Sequence, residues 1–163
     1  MTGAPPCRAG SGTDWAAVLA LIRREFAFMA ARIDPPSSMQ TLTEAAIAAQ
    51  AREGEVWLIG AEPLACVFLT PKAPYLYLGK LAVAPPVRGQ GLARQLIGVA
   101  GQRAAALGLA GLQLQTRVEL EENHAAFAAM GFVQTGATAH VGYDRPTSLT
   151  FTRPLAGPAP LRA

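Results

Sequence analysis

The clearest candidate for chemistry in this sequence is a glycine-rich turn, RGQG, at residues 88–91. Pro85 and Pro86 stand just before it and end an apolar strand, because proline offers no N–H to a neighbouring strand. After the turn, apolar residues recur at helical spacing over 92–107. A strand, a glycine turn and a helix predict an anion site, since the first N–H groups of a helix are free and glycine lets a phosphate approach the backbone. Arg88 adds a positive charge.

Two common nucleotide sites do not fit this turn. A P-loop requires G-x-x-x-x-G-K-[ST], and no Lys-Ser or Lys-Thr pair follows these glycines. A dinucleotide fold requires G-x-G-x-x-G with an acidic residue further along the chain. Here Arg94 stands at the position of the third glycine, and Gly111 stands where the acid would be. The turn therefore predicts a different phosphate ligand.

The remaining pattern is R-x-x-G-x-A at residues 88–93, preceded by L-A-V-x-P. It resembles motif A of the GNAT acetyltransferase superfamily, whose members bind the pyrophosphate of acetyl-CoA at this turn. The resemblance implies that the strand before the turn and the strand after the helix are parallel neighbours that splay apart around the pantetheine. It implies these cofactor-binding residues: Leu81, Ala82, Val83, Arg88, Gly89, Gln90, Gly91, Leu92, Ala93, Asn123 and Phe127.

The remaining elements must position this turn, and their order predicts the fold class. Two helices come first, followed by three antiparallel strands, the helix after the turn, a strand, a short helix and two final strands. Thr13 or Asp14 is expected to cap the first helix, and Thr41 with Glu44 has the spacing of a capping box for a second helix over 42–52. We predict a mixed α/β fold, a largely antiparallel sheet with helices on both faces. The order resembles the GNAT acyl-CoA N-acyltransferase fold from end to end.

Length and composition limit the function classes. The 163 residues predict a single domain over 1–163, with loose tails at 1–12 and 156–163, although a short strand at 7–9 is also possible. The net charge of +3 fits a small anionic ligand and is too weak to indicate nucleic acid. No apolar run of 18 residues and no signal peptide are present, so we expect no membrane partner and a cytoplasmic location, as a monomer or homodimer. No metal site is predicted, since neither histidine has a partner at zinc spacing.

Acetyl transfer from acetyl-CoA releases a thiolate, which needs a proton. The sequence leaves open which residue donates it. Many GNAT members carry a tyrosine shortly before a Gly-Phe pair, and counting back from Gly131 and Phe132 that position holds Phe127 here. A phenyl ring can wall the pantetheine but cannot donate a proton. Cys66 lies in an apolar stretch and is interpreted as a packing residue rather than a nucleophile.

Four other side chains could act as acid or base, and water is a further alternative. Tyr143 lies in the loop that this fold places over the acceptor, and it is the first candidate. Tyr77 is predicted to share a strand face with Gly79, Leu81 and Val83, which would bring it to the cleft. Glu119 follows the carboxyl end of a strand, and His124 is of the type best suited to base work.

The resemblance implies an N-acetyltransferase with acetyl-CoA as co-substrate. The acetyl group would pass directly to a primary amine of a small molecule or a peptide. The acceptor pocket would use residues 28–39, where Arg32 and Asp34 stand beside stiff prolines. A non-catalytic module that senses acyl-CoA and an acyltransferase that uses a different acyl-CoA remain as alternatives.

Overall fold

The computed structural model describes residues 4–155, and the predicted loose tail at 156–163 lies outside them. Seven strands form one sheet: β1 (Pro6–Arg8), β2 (Glu55–Ile59), β3 (Ala65–Lys72), β4 (Tyr75–Val83), β5 (Gly111–Arg117), β6 (Val133–Thr138) and β7 (Ser148–Pro154). Four α-helices accompany them: α1 (Trp15–Met29), α2 (Glu44–Glu53), α3 (Leu92–Ala106) and α4 (Glu121–Ala129). The strands lie in the order β1-β2-β3-β4-β5-β7-β6. The β4–β5 pair is parallel and every other pair is antiparallel.

Helices cover both faces of this sheet, as the sequence predicted. On one face α1 and α2 pack over the sheet, and the buried side chains include Leu21, Ile22, Ile47, Val56 and Phe68. On the other face α3 packs over the central strands, and the buried side chains include Leu76, Leu96, Ile97, Ala100 and Leu112. None of the helices in the described part of the chain is long and apolar enough to cross a membrane.

Two local expectations from the sequence need correction. The hydroxyl of Thr43, not Thr41, caps α2 by accepting from the Ala46 N–H at 3.1 Å, so the predicted capping box does not form. Thr41 instead ends a short 3-10 turn at Ser38–Thr41. The N-terminal tail is not loose throughout, because the short strand that the sequence allowed at 7–9 is present as β1 and pairs with β2. Asp14 caps α1 as predicted, accepting from the Ala17 N–H at 3.1 Å.

A β-bulge in β4 decides where the sheet opens. Gly79 pairs with Phe68 and Ala82 pairs with Cys66, so β4 has one residue more than β3 between these pairs. Lys80, inside the bulge, has a left-handed backbone with φ of 49°. The parallel ladder with β5 covers Tyr75–Leu78 and stops before the bulge. The second half of β4 and the carboxyl end of β5 are therefore splayed apart, as the resemblance implied.

The bulge also reverses which face the β4 side chains occupy. Leu78 packs in the cluster beneath α3, whereas Ala82 packs in the cluster beneath α1 and α2. Both have even numbers and would share a face in a regular strand, so the extra residue has shifted the alternation by one. The prediction that Tyr77 shares a face with Leu81 is therefore wrong. Gly79 was the available signal, since glycine inside a strand often marks a bulge.

Candidate active site

A cleft of about 720 Å³ enters the sheet between the splayed ends of β4 and β5. This volume is typical of small-molecule and cofactor sites. Of the predicted cofactor residues, nine line the cleft: Leu81, Val83, Arg88, Gly89, Gly91, Leu92, Ala93, Asn123 and Phe127. Ala82 and Gln90 are not among the lining residues. The Ala82 side chain packs in the cluster beneath α1 instead, because the bulge turns it to that face.

The glycine turn forms a cradle at the amino end of α3. Gly89 and Gly91 have φ of 78° and 82°, which L side chains rarely adopt, and a Cβ at either position would meet no atom within 4 Å. Gly91 caps α3, and the Gln95 N–H is bound to the Gly91 carbonyl at 3.0 Å. The N–H groups of the preceding helical residues therefore have no intrahelical acceptor. Open space beside free N–H groups at a helix amino end is the geometry of a phosphate site.

Two arginines accompany this cradle, and α1 holds one of them. Arg88 forms an ion pair with Glu25 and lies over the Phe28 ring, with 4.7 Å from Cζ to the ring centroid. These contacts from α1 fix the direction of the guanidinium. Arg94, in the first turn of α3, also lines the cleft. In the sequence, Arg94 indicates only that the turn is not a dinucleotide site, because it stands at the position of the third glycine.

The splayed gap contains a buried hydroxyl that has no partner. Thr116 Oγ1 on β5 is shielded from solvent and makes no hydrogen bond to any described residue, although Thr116 lines the cleft. A buried polar atom without a partner is costly, so this hydroxyl is suited to an amide-bearing ligand in the gap. Phe127 forms a wall of the same gap and meets Phe132 edge to face, with ring centroids 5.8 Å apart.

Among the four side chains considered as acid or base, Tyr77 alone lines the cleft. Burial raises the pKa of the Tyr77 hydroxyl, and a hydrogen bond from the Gln115 backbone lowers it less. The balance keeps the phenol protonated, which is the state a proton donor needs. The Gln115 contact places the hydroxyl beside β5, just beyond the last paired residues.

Tyr143 and Glu119 do not line the cleft and instead hold the segment between α1 and α2. The Tyr143 hydroxyl donates to Asp34 Oδ1 at 2.7 Å, and this hydrogen bond is the main cause of the raised pKa of the phenol. Glu119 Oε2 accepts from the Asp34 N–H at 3.2 Å. The expectation that these two residues face the cleft is therefore corrected. Both bind Asp34, in the segment between α1 and α2, and neither lines the cleft.

Further contacts fasten the same segment across the mouth of the cleft. The Arg117 guanidinium donates to the Pro35 carbonyl at 2.6 Å and to the Pro36 carbonyl at 3.3 Å. Arg32 forms an ion pair with Glu122, which lowers the pKa of that carboxyl. Met29, Ser37 and Met39 from this region line the cleft.

The other groups with reactive side chains fall into two kinds. Cys66 is fully buried, its Sγ donates to the Lys80 carbonyl at 3.3 Å, and burial raises its pKa to about 12, so it is a packing residue as predicted. His124 binds the Arg117 carbonyl at 2.9 Å and stacks on Phe151, and these two contacts give its ring a structural role. His140 does line the cleft, and the sequence held no signal for it, because an isolated histidine in a loop matches no motif.

The comparisons with known proteins agree with this geometry. Crystal structures of three proteins superimpose on nearly the whole chain. The ribosomal-protein-S18-alanine N-acetyltransferase from Escherichia coli has 17% identity and a TM-score of 0.69, with 97% of each chain covered. A GNAT family acetyltransferase from Elizabethkingia anophelis, with acetyl-CoA bound, has 18% identity and a TM-score of 0.67, with 92% of this chain and 97% of that one covered. Ard1 from Thermoplasma volcanium has 14% identity and a TM-score of 0.69, with 96% and 100% covered.

These structures establish the fold, and the sequence itself establishes the family. No curated protein matches the chain. The sequence model of the Acetyltransferase (GNAT) family matches residues 15–132, from the first residue of α1 to the residue before β6. This match spans most of the chain and includes the glycine turn and the splayed strands. The chain belongs to the GNAT acetyltransferase family.

Proposed function

We propose that this protein transfers the acetyl group of acetyl-CoA directly to a primary amine of a small molecule or peptide. One observation carries the proposal: a single cleft joins the glycine cradle at α3, the splayed ends of β4 and β5, and the segment between α1 and α2. Acetyl-CoA, the co-substrate of the family, would supply an activated thioester. The acceptor would approach from the side of Met29, Ser37 and Met39, which line the cleft from the segment between α1 and α2.

The described residues fit such a ligand at both the nucleotide and pantetheine parts. The free N–H groups of α3, with Arg88 and Arg94, would hold the pyrophosphate. Backbone at 81–83, which no longer pairs with β5, is free to bind pantetheine amides, and the unpartnered Thr116 hydroxyl offers one more bond. Phe127 would cover the apolar part of the pantetheine.

Tyr77 is the proposed proton donor for the departing thiolate. It takes the place of the tyrosine that the family pattern puts where Phe127 stands. Its hydroxyl lies where the strands begin to separate, and burial keeps it protonated. Tyr143, the first candidate from the sequence, directs its proton to Asp34. Cys66 is buried in the core and is not placed to attack the thioester, and direct transfer to the amine requires no acyl-enzyme.

The acceptor class is proposed from the similar proteins as well as from the cleft. The name of the Escherichia coli protein gives it an alanine of a ribosomal protein as acceptor, and the Elizabethkingia anophelis structure holds acetyl-CoA. The first name supports an amine acceptor here, and the second structure supports acetyl-CoA as the donor.

The test measures thermal stability and thiol release with the same protein preparation. Acetyl-CoA at 100 times its dissociation constant should stabilise the fold by about 2.7 kcal/mol, and ATP and NAD should do so far less. Thiol release from acetyl-CoA should appear with at least one member of a panel of amino acids, polyamines and peptides. Equal thermal shifts from ATP and acetyl-CoA would contradict the assignment.

Tyr77→Phe tests the proposed proton donor, and the wild-type protein in the same assay distinguishes an enzyme from a sensor. Removing a positioned acid should lower kcat about 10²- to 10⁴-fold while acetyl-CoA affinity stays unchanged. Tyr75→Phe, on the same strand, is the matched control and should keep full activity. A wild-type protein that binds acetyl-CoA but releases no thiol with any amine would be the non-catalytic sensing module, and Phe127 in place of the family tyrosine favours that alternative.

A further inference from the structure

The loop between β6 and β7 brings a histidine to the acceptor end of the cleft. His140 follows the end of β6 by two residues and lines the cleft. Ser148 of β7 pairs with Arg117 on one side and with Thr138 on the other. This register holds the loop beside the carboxyl end of β5, where β4 has already separated. The imidazole therefore shares the cleft with Thr116 and Arg117.

A buried threonine fixes the ring of this histidine. Thr147 is 0% exposed, and its Oγ1 accepts from the His140 backbone N–H at 2.9 Å. The same oxygen contacts His140 Nδ1 and donates to the Thr138 carbonyl at 3.4 Å. A hydroxyl has one proton and two lone pairs, so all three bonds coexist only if Nδ1 carries the imidazole proton. Nε2 then has a free lone pair.

The free nitrogen has no hydrogen-bond partner among the side chains and backbone that the structure describes. Among residues 4–155, His140 Nε2 makes no hydrogen bond, and it is not among the buried atoms that lack a partner. Nε2 is therefore accessible to solvent, and the residue that carries it lines the cleft. A histidine with Nδ1 held by a fixed acceptor and Nε2 accessible beside a cleft has the arrangement of a general base.

We propose that His140 is the general base of the acetyl transfer, with Thr147 as its positioning residue, and this inference rests on the proposed function. His140 Nε2 takes the proton of the attacking amine nitrogen. The nitrogen forms a C–N bond with the thioester carbon, the C–S bond breaks, and the thiolate takes a proton from the Tyr77 hydroxyl. One proton thus leaves nitrogen, one arrives on sulfur, and the products are an amide and free CoA.

The first experiment observes the histidine rings directly and needs no turnover. The chain has two histidines, so two sets of imidazole nitrogen signals are expected in a spectrum of protein with labelled rings. His140→Gln assigns them. Saturation with CoA should shift the His140 signals more than those of His124, which is bound to the Arg117 carbonyl. Unchanged His140 signals on CoA saturation would overturn the inference.

The second experiment measures thiol release with the best amine of the panel. His140→Gln should lower kcat about 10²- to 10⁴-fold with acetyl-CoA affinity unchanged within about twofold. His124→Gln is the matched control and should stay within about twofold of wild type. Full kcat in His140→Gln would overturn the inference while leaving the proposed function intact. A wild-type protein inactive on every amine would overturn both.

Variants of Thr147 distinguish a positioned base from a structural histidine. Thr147→Val removes the hydroxyl that selects the tautomer and should lower kcat about tenfold, with the acceptor KM little changed. Thr147→Ser keeps the hydroxyl and should restore most of the wild-type rate. Equal loss in both variants, in step with their melting temperatures, would reduce the threonine to a packing role and contradict the positioning part of the inference.

Discussion

The two ends of the cleft are built in different ways. At the nucleotide end, β4, the glycine turn and α3 follow one another in the chain, and the cradle forms from residues 88–94. At the proposed acceptor end, the segment between α1 and α2 is held by Arg117, Glu119 and Glu122, which are more than 80 residues away in sequence. The nucleotide end is local and backbone-based, whereas the acceptor end depends on side chains that only folding brings together.

This difference predicts how each end responds to mutation. Backbone N–H groups cannot be removed by a single side-chain change, so the cradle is sensitive mainly to substitutions that add a Cβ or change φ. The acceptor end rests on exposed and half-buried polar contacts, each of modest energy. Changes there should alter the use of the acceptor and leave acetyl-CoA binding intact.

The largest effect is expected at the nucleotide end. Gly91→Val should weaken acetyl-CoA binding at least 100-fold, because φ of 82° is strained for valine and its side chain would occupy the open phosphate space. Isothermal titration with acetyl-CoA measures the effect. Gly108→Val is the matched control, since Gly108 has φ of 72° and open space but lies at the other end of α3. Equal loss of affinity in both variants would contradict a phosphate role for the turn.

The next effect is expected at the acceptor end. Arg117→Met removes both hydrogen bonds to the carbonyls of Pro35 and Pro36 and should raise the acceptor KM about tenfold. Steady-state kinetics should show the acetyl-CoA KM unchanged within about twofold. Arg52→Met, on exposed α2 surface, serves as the control. If the acetyl-CoA KM rises as much as the acceptor KM, the two ends are not independent.

A smaller effect concerns the ion pair that holds the carboxyl end of α3, away from the cradle. Glu55 is 7% exposed and accepts two hydrogen bonds from Arg103 in the last turn of α3, at 2.8 Å each. Glu55→Gln should lower the free energy of unfolding by about 1–2 kcal/mol at neutral pH. Urea denaturation measures the loss. Glu53→Gln, an exposed residue of α2, is the control and should stay within about 0.5 kcal/mol.

The stabilisation by Glu55 should depend on pH in one direction. Arg103, chiefly through its hydrogen bonds, lowers the pKa of Glu55 in the folded protein. A lowered pKa contributes stability that is present above the pKa of the unfolded carboxyl and is lost as pH falls through the folded value. The difference between wild type and Glu55→Gln should therefore narrow below about pH 4. A difference that widens in acid would contradict this pairing.

The smallest effect is expected for Tyr143→Phe. The variant loses one hydrogen bond to Asp34, which Arg145 and the Glu119 carboxylate also hold. Because this bond is exposed and shared, kcat should change by about threefold or less. A loss of 100-fold or more in kcat, with acetyl-CoA affinity retained, would return the role of thiolate acid to Tyr143.

Much of the fold followed from local patterns. The period of the apolar residues predicted a helix over 92–107, where α3 is observed at Leu92–Ala106, and the expected cap at Thr13 or Asp14 agrees with the start of α1 at Trp15. The prediction of a capping box was wrong, because Thr43 lies two residues closer to α2 than Thr41 and its hydroxyl accepts from the Ala46 N–H. The spacing of Thr41 and Glu44 allows a capping box, but the backbone conformation at the start of the helix decides which threonine becomes the cap.

The candidate site likewise has one part that local sequence predicts and another that only the tertiary structure decides. The sequence by itself determined the glycine turn, the cleft residues Leu81 and Val83 on β4, and the loss of a donor at Phe127, since these depend on order and residue type within short stretches. The tertiary structure alone decided that Tyr77 enters the cleft from the opposite face, because the extra residue of a bulge reverses alternation without leaving a periodic trace. It also alone decided that His140 meets Thr147 beside β5, because strand register, not sequence distance, sets which loop residues reach the cleft.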